Sequence, residues 1–305
     1  MGMRIAFVGL GNMGEPMAAN LVAAGHEVHG YDVAVPAIER AVARGVKAAP
    51  SPAGACSEAQ AVVTMLPAGQ DVEDVYAGRD GILDALSRET LLVDASTIDV
   101  ATARRLAARA EKGAHAMLDA PVSGGVIGAE NATLTFMVGG SPQAFESAQP
   151  LFEAMGQKSV LAGGPGAGQA AKACNNMLLG ISMIGLSEAF TLGERLGIEP
   201  ETLFAITSAA SGCSWAMLHH LPIPGIVETS AANREFRPGF AAAMMLKDLS
   251  LAQEAATGTG TATPLGALAQ ALYEEFVAGG GGDLDYAAVI RLIQERSASG
   301  LTPSD

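Results

Sequence analysis

Apolar and polar positions alternate in two different ways along this chain. Up to about residue 164, short apolar runs are separated by stretches of helical period. RIAFVGL (4–10) and EVHGYD (27–32) read as strands. MGEPMAANLVAAG (13–25) and PAIERAVARG (36–45) read as the helices that follow them. AVVTMLP (61–67), TLLVDAS (90–96) and AMLDAPVS (116–123) are apolar without alternation, as a sheet covered on both faces requires. Helical segments fall between them at 70–76 and 99–111, and LTFMVGG (134–140) and SVLAGG (159–164) read as later strands. Repeated β-α-β order predicts a parallel sheet with right-handed crossovers.

After GGPGAG (163–168) the strand signals cease. One helix is expected over 170–197, apolar nearly all round and therefore buried between neighbours. Helical patterns follow at 200–209, 239–256, 264–278 and 283–296. GTGTATP (258–264) and GGGGD (279–283) read as loops, and SASGLTPSD (297–305) as a frayed tail. The expected class is α/β: a doubly wound sheet in residues 1–164, then an all-α domain in 165–305 entered by a long interdomain helix, about 168–197.

Composition narrows the function. A chain of 305 residues suits two domains, and 49% hydrophobic against 16% charged residues excludes disorder. Eighteen Lys and Arg against 32 Asp and Glu leave a net charge of −14, which argues against nucleic acid or an anionic membrane as partner. A mean hydropathy of +0.28 raises the question of a membrane span. The most apolar run, MLLGISMIGL (177–186), has about half the ~20 residues needed, so a buried helix is expected instead. The start, MGMRIAFVGLG, lacks signal-peptide layout, and a cytoplasmic protein is expected. Cys56, Cys174 and Cys213 cannot all pair and lack CxxC spacing, which suits a reducing compartment. Histidines 26, 29, 115, 219 and 220 form no HxxxH pattern; no metal is expected, and His219-His220 reads as a surface pair.

The strongest local motif is Gly9-Leu10-Gly11-Asn12-Met13-Gly14, placed after a strand and opening a helix. The first glycine permits the tight turn, the second lets backbone approach a pyrophosphate, and the third lets helix and strand pack closely. The helix N-terminus offers unpaired N–H groups to phosphate. The second strand ends at Asp32, 18 residues after Gly14. A carboxylate there accepts ribose hydroxyls and repels a 2′-phosphate, and no Lys or Arg occurs in 33–39, so NAD is expected rather than NADP. Leu66-Pro67, with Asp71 downstream, and Ser96-Thr97 lie at other strand C-termini, where open α/β sheets bind ligands.

Three further segments carry possible chemistry. In DAPVSGG (119–125), Ser123 offers a hydroxyl and Gly124 and Gly125 unobstructed N–H groups, a turn able to hold a small carboxylate; a plain strand-ending turn has the same composition. In GPGAGQAAKACNN (164–176), Lys172 and Asn176 share a helix face at i,i+4 with Asn175 beside them. That is either a buried structural network or a catalytic face. In MMLKDLSLAQEAA (244–256), Lys247-Asp248 reads as a snorkelling lysine beside a salt-bridging aspartate.

Together these segments resemble the β-hydroxyacid dehydrogenases over residues 4–296. The resemblance rests on GLGNMGEPMAANL (9–21), VTMLP (63–67), DASTID (94–99), DAPVSGGV (119–126), TLTFMVGG (133–140), GAGQAAKACNNMLLGISMIG (166–185) and MLKDLSLAQ (245–253), in family order. Ala132 departs from it, since relatives usually carry Gly before the TL pair, and its effect is expected to stay within a turn.

The resemblance implies a Rossmann-like NAD domain and assigns roles. Lys172 matches the catalytic lysine; Ser123, Gly124 and Gly125 match the substrate-carboxylate loop; Asn176 matches the residue that helps orient substrate. Lys247 matches the lysine reaching the cofactor, and Leu66, Pro67, Asp71 and Thr97 fall at other cofactor positions, with Asp71 where relatives are neutral. SGCSW…PIPGI (211–226) points to the branch that oxidises 3-hydroxyisobutyrate to methylmalonate semialdehyde in valine breakdown. The implied partner is a small hydroxycarboxylate, in a homodimer or homotetramer whose two domains enclose the site. A base that works near neutral pH must sit below the usual lysine value of about 10.4, so oxidation is expected to favour alkaline pH. The competing readings are a 4-hydroxybutyrate or a glyoxylate/tartronate semialdehyde enzyme, and a non-catalytic NAD-binding module.

Overall fold

The computed structural model describes residues 2–79, 81–86 and 89–299. They divide into two compact units, Met1–Lys172 and Ala173–Asp305, and this division falls inside the long helix.

The first unit is built on a sheet with nine strands among the described residues. They are β1 (Arg4–Val8), β2 (Glu27–Tyr31), β3 (Lys47–Ala48), β4 (Ala61–Thr64), β5 (Leu91–Asp94), β6 (Ala116–Asp119), β7 (Val122–Ser123), β8 (Leu134–Gly139) and β9 (Gly156–Gly163). The order is β3-β2-β1-β4-β5-β6-β8-β7, with β9 beside β8. The first six strands are parallel, as the β-α-β reading expects. The remainder corrects that reading: β8 runs antiparallel to β6 and β7, and parallel to β9. The run 116–123 is two strands rather than one. Pro121 separates them, and its missing N–H cannot serve a central ladder.

Strand side chains point to opposite faces in turn, and both faces are covered. Ile5, Phe7, Val63, Val93 and Leu118 enter one apolar cluster, while Ala6, Val8, Val62, Leu92 and Met117 enter the other. This explains why these strands show no alternation in sequence. The polar order returns at the helix starts, where Ser51, Asp99 and Ser141 accept backbone N–H bonds from the first turns.

Ala132, before β8, has φ +53, the left-handed region in which glycine is cheapest. The departure from the family pattern is therefore a strained turn.

The long helix is Ala167–Arg195. It is not buried all round: Leu178 and Leu192 are 64% and 59% exposed. Its length and apolarity would cross a membrane, although half of its most apolar stretch is buried within the chain.

The second unit continues with helices Pro200–Ser208, Trp215–His220, Ala242–Thr259, Pro264–Phe276 and Ile290–Ser299 around its own apolar core. Residues 297–299 are helical, and the rest of the expected tail, 300–305, lies outside the described residues. The 279–283 loop is partly a π-type turn, Val277–Gly281. His219 is exposed as expected, but His220 is half-buried against Tyr286, and burial lowers its pKa.

Candidate active site

Parallel strands end on one edge, and the strand order reverses around β1. That edge therefore collects the loops after β1, β2, β4, β5 and β6, the usual place for a ligand in an open α/β sheet.

Gly9 to Gly14 form the β1 turn. A Cβ on Gly14 would lie 1.8 Å from the Gly9 carbonyl oxygen, whereas one on Gly11 would meet nothing within 4 Å. Gly14 is thus required by packing, and Gly11 leaves backbone open to a ligand. Leu10 is buried, Gly11 and Asn12 are exposed, and Met13 stands at the N-cap position of the helix Gly14–Ala23 without a side-chain capping bond. Asp32 lies across from this turn: Oδ2 accepts from Leu10 N and Oδ1 from Ala34 N, each at 2.7 Å. Each carboxylate oxygen has two lone pairs, so each keeps one for a ribose hydroxyl. This cradle fits a dinucleotide.

The Leu66 N–H donates to Ser96 Oγ at 2.9 Å, joining the β4 and β5 loops. Pro67 is exposed and Thr97 half-buried beside them. Asp71 sits exposed in the first turn of helix Gly69–Ala77.

The same edge holds two buried carboxyls that sequence reasoning left without a role. Thr64, Asp94 and Asp119 are level in register across β4, β5 and β6. Asp94 Oδ1 accepts from Thr64 Oγ1 at 2.8 Å and Ser96 Oγ at 2.6 Å. Burial pushes its carboxyl up to about 6. Asp119, raised by burial in the same way, accepts from Gly166 N at 2.7 Å and Gln169 N at 2.9 Å. Gln169 is buried and bonds the β5 loop through Ser96 and Ile98. DASTID and GAGQAAK are both visible as motifs, yet nothing local in them shows that they meet.

Lys172 is 7% exposed and its Nζ donates to Val122 O at 2.8 Å. Val122 directly precedes Ser123, Gly124 and Gly125, so the lysine and the expected carboxylate loop come together in this unit. Gly124 and Gly125 have φ +136 and +62 and turn the chain from β7 into the short helix Gly125–Glu130.

In the second unit, Asn176 is buried and its Nδ2 donates to Asp248. Asp248 is 3% exposed, so the salt-bridging aspartate of the sequence reading is a buried one that also takes the Asn176 bond. Lys247 Nζ stands 3.6 Å from Asp248 Oδ1, beyond hydrogen-bond range.

Comparison with known proteins places the chain in a family. A family model described as the NAD binding domain of 6-phosphogluconate dehydrogenase matches residues 4–164. One described as NAD-binding of NADP-dependent 3-hydroxyisobutyrate dehydrogenase matches residues 166–293. A probable 3-hydroxyisobutyrate dehydrogenase of Mycobacterium tuberculosis is 48% identical over 293 residues, 96% of this chain and 98% of that protein. An NAD-dependent L-serine dehydrogenase of Pseudomonas aeruginosa is 46% identical over 289 residues, 95% of this chain and 97% of that protein. The solved structure of Mycobacterium tuberculosis 3-hydroxyisobutyrate dehydrogenase with L-serine is 48% identical and has a TM-score of 0.92, covering 96% of this chain and 100% of that one. The chain therefore belongs to the β-hydroxyacid dehydrogenase family, as an NAD-dependent oxidoreductase of the 3-hydroxyisobutyrate dehydrogenase type.

Proposed function

We propose that the protein oxidises 3-hydroxyisobutyrate to methylmalonate semialdehyde, a step of valine breakdown, with Lys172 as general acid/base. The observation that carries this reading is the buried Lys172 head group, held by the Val122 carbonyl next to the Ser123-Gly124-Gly125 turn. The bound NAD⁺ supplies the chemistry of accepting a hydride from the carbinol carbon. Lys172 Nζ takes the hydroxyl proton during oxidation and returns it during reduction. In the neutral amine that acts as base, the bond to Val122 O uses one of the two N–H donors, fixes the direction of the head group and leaves the lone pair to take the proton. Ser123 Oγ and the Gly124 and Gly125 N–H groups hold the substrate carboxylate, and Asn176 orients the substrate. Gly9, Leu10, Gly11, Asn12, Met13, Gly14, Asp32, Leu66, Pro67, Asp71, Thr97 and Lys247 are the proposed cofactor contacts. In this reading residues 1–164 are the cofactor domain and also supply the carboxylate turn, while 165–305 serve substrate and assembly and also supply Lys247 to the cofactor.

L-serine is a second substrate reading, favoured by the named activity of the Pseudomonas aeruginosa relative and by the ligand of the Mycobacterium tuberculosis structure. The two acids share a hydroxymethyl group beside a carboxylate-bearing carbon and differ in a methyl against an ammonium. Initial rates of NADH formation at alkaline pH, with 3-hydroxyisobutyrate, L-serine, glycerate and 4-hydroxybutyrate, separate them. A preference for 3-hydroxyisobutyrate, lost by about 100-fold or more in Lys172→Ala as removal of a general base requires, is the expected result. NADH binding without turnover on any acid would sink the enzyme reading in favour of a binding module.

The exposed Leu178, Leu192 and Leu196 support a homodimer or homotetramer built on this part of the chain. The bacterial relatives support a cytoplasmic location.

A further inference from the structure

We propose that Gln169 is a positioning residue for Lys172, tying the loop that carries Thr97 to the helix that carries the lysine. The proposal deepens the general acid/base reading of Lys172 and rests on it.

Gln169 is 1% exposed, and its side-chain amide straddles Thr97. Nε2 donates to Ser96 O at 2.7 Å, and Oε1 accepts from Ile98 N at 3.1 Å. The loop thus presents one buried carbonyl and one buried N–H, and an amide is the side chain that answers both. A carboxylate would set oxygen against the Ser96 carbonyl. An apolar side chain of the same length would leave both backbone groups unpaired.

The same turn of helix is held from two other directions. Asp119 accepts the Gly166 and Gln169 N–H groups with its two oxygens. Gly168 lies so close to the sheet that a Cβ would stand 2.3 Å from Met137 O and 2.5 Å from Asp119 O. The first turn therefore cannot slide or roll without breaking the Gln169 bonds. Lys172 follows three residues later, about 4.5 Å along the axis.

On its far side, Ser96 donates through Oγ to Asp94 and accepts the Leu66 N–H. One run of hydrogen bonds, from Leu66 through Ser96 to Gln169, thus links two proposed cofactor loops to the base of the lysine. Lysine has a flexible stem, so the placement of its backbone matters. A misplacement of about 1 Å can cost about 100-fold in rate.

A double-mutant cycle with Gln169→Met and Lys172→Ala tests this on the full-length protein. The readouts are kcat and KM, the pH-rate profile, NADH binding by fluorescence and the melting temperature. We expect Gln169→Met to lower kcat by about 10–100-fold, with KM for NAD⁺ and NADH binding changed by less than about 3-fold, and to shift the pH-rate profile. In the Lys172→Ala background the same substitution should change the residual rate by less than about 3-fold, because the residue it acts through is gone. An equal fold-loss in both backgrounds, or a kcat within about 2-fold of wild type, overturns the proposal. Gln169→Glu, which keeps an acceptor for Ile98 N and loses the donor to Ser96 O, is read by the same criteria if Gln169→Met does not fold. Full activity in Lys172→Ala would instead overturn the general acid/base reading itself. Loss in Lys172→Ala with normal rates in both Gln169 variants would sink the positioning role alone.

Discussion

The Asn176 amide donates to the carboxylate of Asp248, 72 positions away in the chain. Asn176 Oδ1 also accepts from Asn175 Nδ2 at 2.9 Å, so the amide cannot flip without losing both bonds. Its orientation is thereby fixed within the second unit. Asp248→Ala leaves a buried donor unpaired and is expected to cost about 1–3 kcal/mol of stability. With Asn176 free to turn, kcat/KM for the hydroxyacid should fall about 10–100-fold. Asp248→Asn offers an acceptor in the same place and should stay much closer to wild type. Unfolding curves and steady-state rates check the pair of variants, and an unchanged kcat/KM in Asp248→Ala would remove the orienting role.

The proposed choice of NAD by Asp32 rests on charge. Its two oxygens are anchored by the Leu10 and Ala34 N–H groups, so the carboxylate cannot swing aside for a 2′-phosphate. Asp32→Asn preserves the shape and removes the charge. The ratio of kcat/KM for NAD⁺ over NADP⁺ should drop by about 10-fold or more, the scale of one charge-assisted contact. A ratio that does not move would place cofactor choice elsewhere.

Burial raises the Asp94 carboxyl from 3.8 to about 6. Between those values the native state holds the proton more tightly than the unfolded chain, so this group favours folding as pH falls. Its cost is fully present above about pH 6 and is on the order of 3 kcal/mol. Asp94→Asn carries no such cost, while its Oδ1 can still accept from Thr64 and Ser96. The stability of Asp94→Asn relative to wild type should therefore improve by up to about 3 kcal/mol between pH 4 and pH 7.5. Denaturant titrations at both pH values measure it, and a pH-independent difference would contradict the assignment.

Ala132 holds φ +53 before β8. Ala132→Gly removes the clash of Cβ with the backbone in that conformation, at some entropic cost in the unfolded chain. A net gain of about 0.5–1 kcal/mol is expected, or about 1–3 °C in Tm. A lower Tm would show that the Ala132 methyl contributes packing that outweighs the strain.

The sequence by itself determined the features that depend on nearest neighbours along the chain. The strand-glycine-helix turn at Gly9–Gly14, Asp32 at the end of the next strand, and Lys172 near the start of a long helix are set by local periodicity and spacing. Each was legible for that reason. Only the tertiary structure decided what those residues touch. Asp248 against Asn176, Gln169 across Ser96 and Ile98, and Asp119 on the helix's first turn are partners separated by 47 to 73 positions. No local pattern encodes such pairs. The reversal at β8 is of the same kind, since strands buried on both faces look alike whichever way they run. The exposed leucines of the long helix escaped the sequence reading for the opposite reason. Apolarity all round says that a helix avoids water, and only the packed chain shows which face its own residues leave uncovered.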